Sequence, residues 1–285
     1  MSDIQRYNID LYEWISSADE NNQKHRRAIA LILVSFACLD SYQLALKGGI
    51  WLNLVCKSPR MSTDIDFTAY FDPELKNQIR QDIDNALQLS CEQFGNPGID
   101  ACVHNIIQHN HPIFPGWQIK IAYSVQNPYR SKPSTNYYSI DVSFNEPALY
   151  SEAKLVFSEG GQILGYSLID IIAEKFRALL QLSYRKRERS QDVFDLYFLQ
   201  ERMEFDDKRK EAILTALMEK AKATGKLDNL HSKFLANPDI KKRAKANWNQ
   251  ITLTAGFVPE FETCFETVIS FYEGLPWQSE SSQIE

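Results

Sequence analysis

The chain has 285 residues, 44% hydrophobic and 24% charged, with 16 Phe, 13 Tyr and 5 Trp. That supplies a sizeable core for one large or two smaller domains and excludes a disordered, collagen-like or low-complexity protein. The net charge of -6 excludes a uniformly basic nucleic-acid coat, but residues 184–245 carry 16 Lys and Arg against 11 Asp and Glu, one positive segment in an acidic chain.

The opening Met-Ser-Asp-Ile-Gln-Arg lacks an apolar stretch of signal-peptide type. Cys38, Cys56, Cys91, Cys102 and Cys264 are odd in number and form no Cys-x-x-Cys pair, which argues for free thiols in a reducing cytosol rather than a disulfide framework or zinc ribbon. Polar and then apolar residues predict a helix over 22–41. Its apolar block, Ala28 to Leu39, is broken only by Ser35 and is shorter than the about 18 residues of a membrane span, so it reads as a buried helix segment. Leu44 to Leu46 reads as a short buried strand running into Lys47-Gly48-Gly49, a turn needing close approach or positive φ. Ile50 to Val55 begins a helix. The stretch 64–70 alternates with a strand period, placing Asp64, Asp66 and Thr68 on one face. A helix over 73–94 is followed by three β-rich runs, 99–107, 118–125 and 137–144, with Gly and Pro in the gaps at 96–98, 112–116 and 127–128. From Ser167 onward the pattern is helical, over 167–182, 188–201, 207–224, 238–248 and 259–273. The shift falls near Gly160-Gly161. It predicts an α+β domain with an N-terminal helix over 1–160, a helical domain over 161–278 that completes the active site, and a disordered tail over 279–285.

Three features carry chemistry. Asp64 and Asp66, two apart on a strand, place their carboxylates on one face about 7 Å apart, within reach of one pair of divalent cations of the kind used in phosphoryl and nucleotidyl transfer. Mg²⁺ takes one or two carboxylates plus substrate phosphates, and a Gly-Gly turn before a helix offers backbone N–H groups to a triphosphate. Asp141 lies among β-formers, between Ile140 and Val142. On a strand beside Asp64–Tyr70 it would complete the metal shell or accept a proton from an attacking hydroxyl; otherwise it is an ordinary strand Asp facing solvent. Lys175 falls on or beside the apolar stripe Leu168, Ile171, Ile172, Phe176, Leu179, and Asp192 leans to the apolar side of the next helix. Two inward ionisable groups of opposite sign make either a shared polar site or a structural ion pair.

The string Lys47-Gly48-Gly49, the run Arg60-x-Ser62-Thr63-Asp64-Ile65-Asp66-Phe67, and Glu174-Lys175-Phe176-x-Ala178-Leu179 followed by Arg189-x-x-Asp192-x-x-Asp195-Leu196 resemble, in order over about residues 40–200, the AbiEii family of nucleotidyltransferase-like toxins of type IV toxin–antitoxin and phage-defence systems, whose relatives include the MenT toxins. The resemblance implies a polymerase-β-like nucleotidyltransferase fold, with a mixed sheet flanked by helices and a helical C-terminal half. It implies an NTP-dependent, pyrophosphate-releasing enzyme of the cytoplasm that uses two Mg²⁺ ions, with Mn²⁺ as a substitute. It implies a tRNA 3′ end as acceptor and an antitoxin encoded beside it, with no membrane partner. Asp64 and Asp66 then bind metal, Gly48 and Gly49 form the phosphate turn, and Lys47, Arg60 and Ser62 are nucleotide contacts. Lys175 neutralises triphosphate charge, Asp192 is the acidic residue of the last motif, and Asp141 is a third strand carboxylate. Ile50 departs from the small hydroxyl residue that often follows the glycine pair. A protein or small-molecule acceptor, or a catalytically silent nucleotide-binding module, are the alternative functions.

Weaker features remain. His104, His109 and His111 space as a transition-metal cluster or as exposed imidazoles at a strand end. Arg185, Lys186, Arg187 and Arg189 sit between the two site helices as a candidate acceptor-phosphate contact, and Lys241, Lys242, Arg243 and Lys245 read as an RNA contact or a solvated helix face.

Overall fold

The computed structural model describes residues 5–93, 98–110, 115–126, 133–144, 146, 153–223, 225, 227, 230–254 and 256–277. His111, the tail over 279–285 and most of the expected turn residues at 96–97, 112–114 and 127–128 lie outside them. The described residues divide into two compact units, one of residues up to 57, 62–146 and up to Tyr166, the other of residues 58–61 and from Ser167 onward.

The first unit is built on a mixed eight-stranded sheet. Its strands are β1 (Arg6–Ile9), β2 (Leu44–Lys47), β3 (Ile65–Ala69), β4 (Ile99–His109), β5 (Gly116–Val125), β6 (Ser134–Ser143), β7 (Ala153–Phe157) and β8 (Gln162–Gly165), in the spatial order β1-β7-β8-β2-β3-β6-β5-β4. β3 runs antiparallel to β2 and parallel to β6. Its helices are α1 (Leu11–Ser16), α2 (Glu20–Ala37), α3 (Gly48–Val55) and α4 (Lys76–Gln93).

The apolar block of the sequence is the second half of α2, buried continuously from Ala28 to Ala37, as expected of a helix that is hydrophobic all round. The helix starts two residues before the predicted point because Asp19 caps it, accepting from the backbone N–H groups of Asn21 and Asn22. It stops at Ala37, and a single 3₁₀ turn, Asp40–Tyr42, leads into β2. Phe36 stacks on Phe67 of β3 with ring centroids 5.2 Å apart, which fixes the apolar face of β3 on the core.

α4 serves the sheet in a second way. Arg80 Nη2 donates to the Val103 carbonyl at 2.9 Å, the Val103 N–H donates to Asp84 Oδ1 at 2.6 Å, and Gln88 Nε2 donates to the Ala101 carbonyl at 3.4 Å. These side chains take up the outward backbone groups in the middle of edge strand β4.

Gly160 and Gly161, where the composition shifts, have φ of 109° and 82° and form the turn between β7 and β8; the first unit continues to Tyr166.

The second unit is helical: α5 (Leu168–Leu180), α6 (Ser190–Arg202), α7 (Asp207–Lys222), α8 (Pro238–Lys245) and α9 (Phe261–Glu273). Ser167 caps α5, accepting from the Asp170 N–H. Phe176, Leu179, Leu196, Leu199, Ile213 and Phe265 are among its fully buried side chains. An ion pair joins α5 to α7 inside this core, Lys220 Nζ to Asp170 Oδ1 at 3.1 Å, with both side chains buried. The segment at 58–61 belongs here because it pairs with 252–254: the Met61 N–H donates to the Thr252 carbonyl and the Thr254 N–H to the Pro59 carbonyl, at 2.9 and 2.8 Å. No helix among the described residues is long and apolar enough to cross a membrane.

Candidate active site

In the first unit the site is set by strand register. Lys47 of β2 lies opposite Asp66 of β3, and Asp66 lies beside Asp141 of β6. Register partners share a face, so these three side chains stand in one row across three adjacent strands. Asp64 directly precedes β3 and is exposed, while Asp66 is half-buried.

β2 passes into α3 at Gly48, whose φ is 74°. A Cβ there would run into Asp66, striking Oδ2 and lying 3.0 Å from Cγ. Only glycine combines that backbone conformation with that approach. The Gly48-Gly49 turn therefore lies directly against the Asp66 carboxylate. The Lys47 side chain does not cap α3, and its first turn holds no acidic residue. The amide end of the helix thus carries the partial positive charge that suits an anion.

The donor set fits a hard divalent cation. Asp64 and Asp66 offer carboxylate oxygens, and among the described residues no group of three His, Cys, Asp or Glu side chains gathers into a closed cage. Such a pair leaves coordination positions to phosphate oxygens and water, as Mg²⁺ and Mn²⁺ sites do and a structural zinc site does not.

Asp141 accepts from Gln118 Nε2 at 3.3 Å. Loss of surrounding water and the negative charge of Asp64 push its carboxyl above the ordinary range, against the Gln118 hydrogen bond and the positive charge of His109 and Lys47.

The Lys47 ammonium donates to Ser143 Oγ at 2.8 Å, pairs with Glu146 and lies 5.6 Å from the centre of the Tyr166 ring. Thr68 Oγ1 and the Tyr166 hydroxyl are hydrogen-bonded at 2.7 Å beneath it. Lys47, assigned by resemblance to nucleotide contact, thus stands in a polar network of the sheet face. Ser62 is half-buried in the segment leading to β3.

In the second unit Lys175 of α5 meets α6. Its Nζ donates to Asp192 Oδ1 at 3.1 Å and to Asp195 Oδ2 at 2.7 Å. Asp195 also receives Arg60, whose Nε donates to Oδ1 at 2.7 Å and Nη2 to Oδ2 at 2.8 Å. All four residues are buried. Burial opposes the Lys175 charge, but Asp195 and Asp192 outweigh it and hold the ammonium above the ordinary lysine value. Burial likewise opposes the Asp195 charge, and Arg60 and Lys175 overcome it, holding the carboxyl below the ordinary range. Arg189 Nη1 lies 3.5 Å from Asp192 Oδ2.

The basic segment after α5 is crowded. Burial, together with the charges of Arg187, Arg177 and Arg189, lowers the Arg185 pKa, against a contribution from Tyr184. Lys186 and Arg187 are exposed. Arg243 of α8 donates to the carbonyls of Leu182 and Arg185. Lys241 and Lys245 are engaged with Glu262, at 2.6 and 2.8 Å. His104 packs edge-on against Tyr137 with ring centroids 4.9 Å apart, on a strand whose far end carries His109.

The sequence matches the family described as nucleotidyl transferase AbiEii toxin, type IV TA system, over residues 32–267. The chain belongs to the AbiEii family. It is a nucleotidyltransferase of a toxin–antitoxin family, and the family implies an NTP substrate and an antitoxin partner. Among solved structures it resembles MenT4, a nucleotidyltransferase toxin of Mycobacterium tuberculosis, with a TM-score of 0.57 and 13% identity over 95% of this chain and 90% of that one. It also resembles JHP933 of Helicobacter pylori, with a TM-score of 0.50 and 18% identity over 90% and 92%. At such identities the likeness shows the fold. A comparison with curated proteins finds no match.

Within this AbiEii chain Asp195, Glu146, Ser143 and Tyr166 are partners of site residues that the sequence motifs do not single out. Asp195 had a visible signal, a second carboxylate three residues after Asp192 and flanked by Phe194 and Leu196. Ser143 continues the Asp141 face at strand period. Glu146 belongs to no periodic element and gave no signal.

Proposed function

We propose that the chain transfers a nucleoside monophosphate from an NTP to an acceptor hydroxyl with Mg²⁺ on Asp64 and Asp66, and that the acceptor is a tRNA 3′ end in the cytoplasm, in toxin–antitoxin or phage defence. The observation that carries this reading is the close approach of the Gly48 backbone to the Asp66 carboxylate, which supports a phosphate-binding role for the turn beside a metal-binding role for the carboxylate.

The first-turn amides of α3 bind the phosphates. Asp64 and Asp66 hold the cation, which when bound supplies positive charge to the α-phosphate and the departing pyrophosphate. The acceptor oxygen bonds to the α-phosphorus, the α–β phosphoanhydride bond breaks, and pyrophosphate leaves. Asp141, in register beside Asp66 on the next strand, takes the proton of the attacking hydroxyl. For Lys175 and Asp192 the reading follows the family resemblance: Lys175 supplies charge for the triphosphate and Asp192 holds its ammonium. The crowded positive charge at Arg185, Lys186, Arg187 and Arg189 supports a role in binding acceptor phosphates.

The test is incubation with each α-labelled NTP, Mg²⁺ and separate pools of tRNA, protein and metabolites. Label on the tRNA 3′ end is expected, lost by at least about a hundred-fold in Asp66→Asn while folding is kept. Label in the protein or metabolite pool alone overturns the tRNA assignment, and full transfer by Asp66→Asn overturns the metal assignment.

A further inference from the structure

One face of the three-stranded arm β4-β5-β6 is packed on the core through Ala101, Val103, Trp117, Ile119, Tyr138 and Ile140. The other face is open. On β6 it presents Tyr137, Ser139 and Asp141 at strand period, and Tyr137 is 58% exposed. The His104 ring fixes the Tyr137 ring edge-on at 4.9 Å, so an aromatic surface stands ready in one orientation.

The next row toward Asp141 is Asn105, Lys120 and Ser139, register partners across the three strands. Lys120 forms no ion pair among the described residues, and Asn105 Oδ1 and Ser139 Oγ beside it are shielded from solvent without a hydrogen-bond partner. The row after it is Ile107, Gln118 and Asp141, and Asp141 stands beside Asp66. The remaining acidic group of this arm, Asp100, is turned to Gln88 of α4 at 3.2 Å. One exposed ring and one ammonium without a carboxylate suit base stacking and phosphate contact rather than a dry protein interface, whose centre would be apolar.

We propose that this open face binds a single-stranded nucleic acid, with one base against Tyr137 and a phosphate on Lys120, and that it leads the 3′ hydroxyl along β6 to Asp141. The direction toward Asp141 rests on the reading of Asp64 and Asp66 as the catalytic centre; the binding surface does not. Tyr137 lies four residues from Asp141, about 13 Å along the strand, which leaves room for the chain between the stacked base and the reacting end.

The test is fluorescence anisotropy with a short fluorescein-labelled single-stranded RNA bearing a free 3′ hydroxyl, and with DNA of the same sequence, in the absence of NTP and divalent metal. The wild-type chain is expected to bind. Tyr137→Ala weakens binding about ten-fold or more and Tyr137→Phe retains it. Lys120→Ala weakens binding and lowers the salt slope by about one. Equal binding of RNA and DNA supports recognition by ring and phosphate, and preference for RNA supports it with an added 2′-hydroxyl contact. Failure of the wild type to bind either strand, or wild-type affinity in both Tyr137→Ala and Lys120→Ala, overturns the proposal.

Label transfer measured on the same proteins separates the two readings. Binding lost in Tyr137→Ala with no transfer by any protein leaves the platform standing and removes the catalytic reading. Transfer by Tyr137→Ala with an unchanged KM for the nucleic acid removes the platform and leaves the catalytic reading.

Discussion

Arg60 and Asp195 meet through two parallel hydrogen bonds, although 135 residues separate them in the chain. The second oxygen of the same carboxylate also receives Lys175, so one buried anion is shared by two cations. A two-pronged guanidinium–carboxylate pair is strong and directional, and lysine does not reproduce it.

The loss of either arm is therefore costly. Arg60→Ala should destabilise the protein by about 3–5 kcal/mol, as expected when a buried pair loses one member, and Arg60→Lys should recover only part of that. Urea unfolding of the three proteins measures it. Equal midpoints for wild type and Arg60→Ala would remove the network from the account of stability.

The same network sets a pH window. The Asp195 pKa is depressed on folding, so its contribution is complete above the ordinary carboxylate value of about 4 and is lost as pH falls through the depressed folded value. The Lys175 pKa is raised above 10.5, so its contribution is complete below that value and is lost as pH rises through the raised one. In Asp195→Asn the acid limb attributable to this group disappears and the alkaline loss begins at lower pH. Melting curves of both proteins across acid and alkaline pH test the two limbs separately.

Lys220 and Asp170 form a further buried pair, between α7 and α5. Lys220→Met should cost about 3–5 kcal/mol because it removes the buried cation facing Asp170, whose carboxylate keeps the Ser167 hydroxyl at 2.9 Å. The double variant Lys220→Met, Asp170→Leu should regain most of it, since an apolar pair of similar volume replaces two desolvated charges. A double-mutant cycle in urea shows whether the single loss comes from the abandoned charge.

Gly48→Ala tests the turn against Asp66. The positive φ alone costs roughly 1–2 kcal/mol for a residue with a Cβ, and the added methyl displaces the carboxylate. Label transfer should fall by at least about ten-fold at saturating NTP, a larger effect than the loss of stability explains. Full kcat in a folded Gly48→Ala protein would separate the turn from the carboxylate's function.

Long periodic elements were legible from the sequence. α2 and the five helices of the second unit show their apolar stripes over whole turns, and β3, β5 and β6 alternate over enough residues to be read. β1, α1, β7 and β8 were not: they are as short as β2 and β3 but have neither the Gly-Gly turn that follows β2 nor the Asp-x-Asp alternation of β3 to mark them out from loops. The Asp64–Asp66 spacing was readable from the sequence, but Asp64 falls just before β3, so the strand period assigns a face to Asp66 alone. The row Lys47-Asp66-Asp141 needed the pairing of β2, β3 and β6, which is a property of register and not of any one segment. For the same reason Arg60 could be placed in a motif but not with Asp195, since nothing in either segment announces a partner so distant in the chain.

The outermost strand β4 has a consequence for assembly. Arg80, Asp84 and Gln88 occupy backbone groups of Ala101 and Val103 that a neighbouring chain would need in order to zip onto this part of it. An antitoxin that added a strand at this edge would first have to displace those three side chains, and crowded copies of the toxin meet the same obstacle to fusing through β4.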